Sequence, residues 1–248
     1  MFSERGRPVS LRKSHEDDRF VTPLYSVAEA SRYLGVPRTT LQQWVRGYEI
    51  RPKGRPTVSG APIVTSVQAN SGLTLPFIGL AEAYVLSAFR EAKVPLQRIR
   101  PALDCLEEEF GISHALGSKS LYTDGAEVIY DYAESHGDTP EARTARDLVV
   151  VRKGQRVFKE VVDNYLRRIE FGADGWAKLI QLPQYDNARV VVDPHRSYGA
   201  PIFAHGAVRI DDVLSRFKAG EAIDALSEDF GVPQEEILDV LRVHTTAA

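Results

Sequence analysis

Arg38-Thr39-Thr40 follows Pro37 and opens a run with apolar residues at Leu41 and Trp44. These side-chain types at the start of a helix suit DNA. An arginine fork can take guanine bidentately, and threonine hydroxyls can take phosphate or a base edge. The helix N-terminus itself favours a phosphate oxygen. Gln43 and Arg46 stand further along the same run. Behind them comes the basic, Pro/Gly-rich stretch RGYEIRPKGRPTVSG (46–60), with Arg51, Lys53 and Arg55. These eight residues are the expected DNA contacts, the last three on the backbone phosphates that supply much of the affinity.

The elements that would position them are legible in the spacing. Around Gly35, the positions five before, one before, one after, six after and nine after are Ala30, Leu34, Val36, Leu41 and Trp44, all apolar. The position four before is the small Ser31. Two helices crossing at a tight turn require this pattern, with glycine free to take φ > 0. Ser26-x-x-Glu29 is a capping box that starts the first helix, and Pro37 suits the first position of the second. A helical hairpin that only packs would show the same apolar spacing; the basic stretch behind it argues for DNA.

The pattern recurs 196 residues on. ASRYLGVPRTTLQQW (30–44) aligns with LSEDFGVPQEEILDV (226–240), with Ser227, Phe230, Gly231, Val232, Pro233, Ile237 and Val240 on the equivalent positions. Gln234-Glu235-Glu236 replaces Arg38-Thr39-Thr40. Acids at a helix start stabilise it through the dipole but face phosphate with the wrong sign. Residues 1–60 carry eleven Lys/Arg against six acids, a net of +5. Residues 209–248 carry four against nine, a net of −5. The second unit is therefore expected to contact a protein, through Glu235, Glu236 and Asp239 with Asp212 and Phe217.

Other chemistry finds little support. The six histidines show no two-His metal spacing, and one cysteine, Cys105, can form neither an internal disulfide nor a thiolate zinc site. DPHRSYGAP (193–201) reads as an Asp-Pro turn and not as a catalytic loop. No Gly-rich phosphate loop and no nucleophile elbow appears. The chain is expected to be no enzyme and to hold no metal or cofactor. No apolar run approaches a membrane span, and the charged N-terminus has no apolar leader core, so a cytoplasmic protein is expected.

The fold class expected is α+β and mainly helical. Residues 1–20 read as a disordered arm. A winged helix-turn-helix domain with a helical extension should fill 21–140, and a mixed strand/helix domain ending in a three-helix, helix-turn-helix-like unit should fill 141–248. Pro62–Val67 reads as the wing strand. Residues 77–92, apolar at Leu80, Ala83, Tyr84, Ser87 and Ala88, read as a helix that could serve a dimer contact, followed by a helix from Pro95 to about Phe110. LYTDGAEVIY (121–130) reads as a hairpin. Short strands are expected near 148–151, 168–171, 176–180 and 190–192.

YSVAEASRYLGVPRTTLQQW (25–44) resembles the MerR-type winged helix-turn-helix. Residues 190–242, with a valine-rich strand into an Asp-Pro turn, then R-S-Y-G-x-P, A-G-E and a terminal helix-turn-helix, resemble a small domain long catalogued without a function. That domain recurs in antitoxins of VapBC-type pairs, whose toxins are PIN-domain ribonucleases. The resemblance covers about half the chain. It implies a VapB-type antitoxin that binds its operator DNA as a homodimer and neutralises a PIN-domain ribonuclease toxin. Simple VapB proteins use a disordered tail for inhibition, whereas only Val243–Ala248 follow the last element here, so a folded surface is expected to do it. The alternatives are a stand-alone MerR-like regulator that senses a ligand through residues 148–210, and an excisionase-like architectural protein.

Overall fold

A computed structural model of the chain describes residues 17–51, 57–70, 72–93, 96–111, 113–119, 121, 165 and 167–246. The fold is mixed α+β and mainly helical, with a helix-turn-helix near each end. The N-terminal part holds α1 (Asp18–Val21), β1 (Tyr25–Ser26), α2 (Val27–Leu34), α3 (Arg38–Arg46), β2 (Tyr48–Ile50), β3 (Val58–Gly60), β4 (Val67–Ala69), β5 (Gly72–Leu75), α4 (Phe77–Glu91) and α5 (Leu96–Phe110). The C-terminal part holds β6 (Ile169–Phe171), β7 (Ala177–Gln181), β8 (Val190–Val192), β9 (Ile202–Phe203), α6 (Ile210–Lys218), α7 (Ile223–Phe230) and α8 (Gln234–Thr246). The boundary expected near 140, the hairpin at 122–130 and the strand at 148–151 lie outside the described residues; Leu121 itself is buried and helical.

All strand pairs among the described residues are antiparallel. β5 lies between β1 and β4, β2 pairs with β3, and β6-β7-β8-β9 form a meander. The Asp174-Gly175 turn joins β6 to β7, with Gly175 at φ +82°.

Helix α4 is the hub. Every residue from Phe77 to Phe89 is buried, and the helix packs on α2, β5 and β7. A helix apolar on all sides belongs inside a fold. The helix expected at 77–92 is there, but the stretch around Leu80–Ala88 expected to serve a dimer contact is buried within the chain. One apolar core runs through both parts, from Ala30, Leu41 and Trp44 through Phe77, Leu80 and Tyr84 to Ile180, Val190, Phe203, Val213 and Ile237.

Two further expectations are corrected. The wing is the β2–β3 hairpin, whose tip at 52–56 lies outside the described residues. Residues 62–65 are no strand; the amides of Ile63 and Val64 donate to the Trp44 carbonyl at 2.8 and 3.1 Å, tying this segment to the end of α3. The expected disordered arm gives way to order at residues 17–20. Arg19 is 6% exposed, paired with Asp17 and with Asp174 of the β6–β7 turn, and donates to the Ala177 carbonyl at 3.3 Å. A buried guanidinium with partners on both parts pins the start of the chain to the C-terminal sheet.

Candidate nucleic-acid interface

The first helix-turn-helix is built as its spacing requires. The Ser26 amide donates to Glu29 Oε2 at 2.9 Å and the Glu29 amide to Ser26 Oγ at 3.2 Å, completing the capping box. Helix α2 ends on Gly35 at φ +66°. Ser31 does more than permit close approach: its hydroxyl donates to the Val36 carbonyl at 2.5 Å, and the Val36 amide returns a bond to the Ser31 carbonyl at 3.1 Å. The turn is thus latched from both sides. Ala30, Leu34, Val36, Leu41 and Trp44 are all buried.

Helix α3 buries Leu41, Trp44 and Val45 and leaves Arg38, Thr39, Gln43 and Arg46 exposed, with Thr40 half-buried. Thr39, Gln43 and Arg46 share one face by their i, i+4, i+7 spacing. No side chain caps the start of α3, so the amides of its first turn are open to an acceptor. Among the described residues no acid pairs with Arg38 or Arg46, whereas exposed Arg51 bonds Glu49 at 2.7 Å. Lys53 and Arg55 lie outside the described residues.

The second helix-turn-helix repeats this architecture. Gly231 sits at φ +62°, Ser227 Oγ donates to the Val232 carbonyl at 2.7 Å, and the Ile237 amide donates to Pro233 O at 3.2 Å, as the Leu41 amide does to Pro37 O at 3.1 Å. A cleft lined by Arg32, Tyr33, Ile210, Asp211, Leu214 and His244 marks where this unit meets α2. His244 Nε2 lies 3.0 Å from the Tyr185 hydroxyl, and burial together with Arg32 lowers its pKa from the ordinary 6.5.

The acids of α8 divide. Glu235 is exposed. Glu236 is 6% exposed, accepts from the Arg189 amide at 3.3 Å and pairs with His205 at 2.9 Å. Asp239 is 4% exposed and accepts from the Asn187 and Ala188 amides at 2.8 and 2.9 Å and from Arg242 at 2.7 Å. Burial alone would raise the Asp239 pKa, but these donors outweigh it and hold its carboxyl below the ordinary aspartate value. Glu236 and Asp239, read from sequence as docking residues, therefore clasp the turn that feeds β8. Asp212 is exposed, and Phe217 is half-buried against the core.

The R-S-Y-G segment also becomes intelligible. Ser197, Tyr198 and Gly199 all have positive φ. A Cβ on Gly199 would come within 2.4 Å of the Tyr25 hydroxyl, so the C-terminal unit needs glycine there to sit against the entry to α2. Tyr198 is left 93% exposed. Residue spacing foretold neither the Arg19 anchor nor this exposed ring, and gave the clasp only a hint in the placing of Glu236 and Asp239 beside Ile237 and Val240.

Comparison with known proteins agrees with this division. Residues 23–103 match a family model described as "Putative DNA-binding HTH domain", and residues 190–242 match one described as "Protein of unknown function (DUF433)". A Mycobacterium tuberculosis protein named "Putative antitoxin VapB45" is 51% identical over 226 residues, spanning 90% of this chain and 94% of the relative. The chain belongs to the VapB45 family. A second protein of that organism, "Uncharacterized protein Rv2308", is 26% identical over 88% of each chain. The crystal structure of Rv2018 from Mycobacterium tuberculosis matches with a TM-score of 0.73 and 47% identity, covering 90% of this chain and 99% of that one. The resemblance read from sequence thus holds, and the Rv2018 structure shares the fold over 90% of this chain. No helix among the described residues is long and apolar enough to cross a membrane.

Proposed function

We propose that this chain is the DNA-binding antitoxin of a type II toxin–antitoxin pair. It binds its own operator as a homodimer and neutralises a PIN-domain ribonuclease, itself catalysing no reaction. The observation that carries the reading is the pairing of an antitoxin-named relative with an α3 whose uncapped start and exposed Arg38, Thr39, Gln43 and Arg46 face solvent. Arg38 reads a base, while Arg46, Arg51, Lys53 and Arg55 hold phosphates. Glu236 and Asp239 being committed inside the fold, the ribonuclease docks on Glu235, Asp212 and the half-exposed Leu238 of the acidic C-terminal unit. A ribonuclease must carry a basic groove for RNA, so acid docking there competes with substrate.

Titration of the promoter fragment at two salt concentrations tests the DNA half. Arg38→Ala is expected to weaken specific binding by about 1–3 kcal/mol. Lys53→Ala is expected to weaken all sequences alike and to flatten the salt dependence. Unchanged affinity in both variants contradicts the assignment.

A further inference from the structure

The segment Pro62–Thr65, helices α4 and α5 and the turn at His114–Leu116 enclose a cavity of about 260 Å³ that neither the DNA face nor the C-terminal unit uses. One wall is Arg100. Its Nη1 makes a long bond of 3.4 Å to the Pro62 carbonyl, while Nε and Nη2 are shut from solvent and have no hydrogen-bond partner. A guanidinium cannot shed its charge, so donors buried without partners call for an acceptor that arrives from outside. Asp104, one helical turn along α5, leaves those two nitrogens unbonded.

The other charges in the cavity define that acceptor. Glu82 is 3% exposed and fully engaged: it accepts from the Thr65 amide at 2.6 Å and the Thr65 hydroxyl at 3.0 Å, and pairs with His114 at 3.1 Å. Glu82 is taken up by Thr65 and His114, and Asp104 faces Arg100 without bonding it, which leaves the Arg100 Nε and Nη2 donors without an acceptor. Asp104 and Glu107 line the same cavity and are exposed. The site is thus cationic inside and anionic at its mouth. A carboxylate matches the planar fork bidentately. An ammonium group at the ligand's other end would face Asp104 and Glu107, whereas a phosphate would meet them with the wrong sign. The volume falls just below the roughly 300–1,000 Å³ of drug-sized pockets, which sets the ligand at amino-acid size.

We propose that this cavity binds a small amino-carboxylate, its carboxylate on Arg100 and its ammonium toward Asp104 and Glu107. The site abuts the DNA-reading helix, since the residues after Pro62 carry the two amide bonds to Trp44. It stands independently of the antitoxin reading.

The test is isothermal titration calorimetry and thermal shift on the full chain. The probes are glycine, 4-aminobutanoate and 6-aminohexanoate, against butanoate, butylamine and inorganic phosphate. At least one amino acid is expected to bind saturably and to raise Tm, several-fold tighter than butanoate, with butylamine and phosphate inert. Arg100→Gln is expected to lose at least about tenfold in affinity, the loss typical of a charged hydrogen-bond partner, while keeping or raising the ligand-free Tm. Leu103→Phe keeps the guanidinium but fills the cavity, and is expected to abolish binding. Absence of saturable binding by all three amino acids at about 10 mM, far above a ~1 mM Kd, overturns the proposal. So does binding that survives both substitutions, or phosphate binding as tight as the amino acids.

Discussion

Asp239→Ala separates a clasp from a docking residue. The carboxylate is 4% exposed and receives two backbone amides. Ala188 is buried, so its amide loses its partner outright, at about 1–3 kcal/mol. Asn187 is exposed and its amide can turn to water, which adds about 1 kcal/mol at most. The Arg242 partner is more than half exposed and contributes about 0–1 kcal/mol. The expected total is about 1–5 kcal/mol, a large share of the roughly 5–15 kcal/mol that holds a domain folded. Both amides bond the same oxygen, Oδ2, so Asp239→Asn can keep both and should recover most of it. Glu235→Lys, on the exposed side of the same helix, should stay within about 0.5 kcal/mol of wild type. Urea denaturation followed by circular dichroism reads all three. The Asp239 contribution should be complete above about pH 5 and be lost as the pH falls through the ordinary aspartate value and then its lowered folded one. An Asp239→Ala midpoint within error of wild type at pH 7 refutes the clasp.

Gly35 and Gly231 both have positive φ, and an added Cβ would meet nothing within 4 Å at either. Alanine there should cost about 1–2 kcal/mol from backbone strain alone, and a loss below about 0.3 kcal/mol at both in urea melts would show that the turns relax. The Glu82 hydrogen bond raises the pKa of His114, while burial lowers that of His244. The His114 contribution to stability should therefore hold below about pH 6.5 and fade as pH rises through its raised value; that of His244 should hold above 6.5 and fade on acidification. Proton NMR titration of the two imidazoles should give midpoints on opposite sides of 6.5, and the reverse order would contradict both environments. Glu235→Lys should keep operator affinity and weaken ribonuclease neutralisation, as measured by gel shift and RNA cleavage; full neutralisation by the variant would move the docking surface elsewhere.

Local features were legible and long-range ones were not. The turn at Gly35 could be read because its determinants, the apolar spacing, Ser31, Gly35 and Pro37, all lie within fifteen residues, and the echo at Gly231 repeats them. Glu236 and Asp239 looked like surface acids because their partners are main-chain amides some fifty residues upstream, which no side-chain pattern announces. The face defined by Ile237 and Val240 did carry a hint, since Glu236 and Asp239 flank it. Arg19 fell within the expected disordered arm because its partner Asp174 stands 155 residues away. Val64, Thr65 and Val67 suggested one strand by their β-branched types; Val67 does open β4, but the amides at 63–64 are taken by the end of α3 and cannot join a ladder. The depth of α4 was readable: Glu82 is the only charge between Phe77 and Phe89, and that composition marks a helix buried on every side.

Neutralisation of a ribonuclease can be read straight from RNA cleavage. The ribonuclease proposed as the partner is assayed on a fluorogenic RNA while the full chain is titrated in. Cleavage should fall to background near stoichiometric addition, and the two proteins should co-elute on size exclusion. Undiminished cleavage at about tenfold excess, with the chain folded and bound to its operator, would contradict neutralisation and leave a DNA-binding regulator without a toxin.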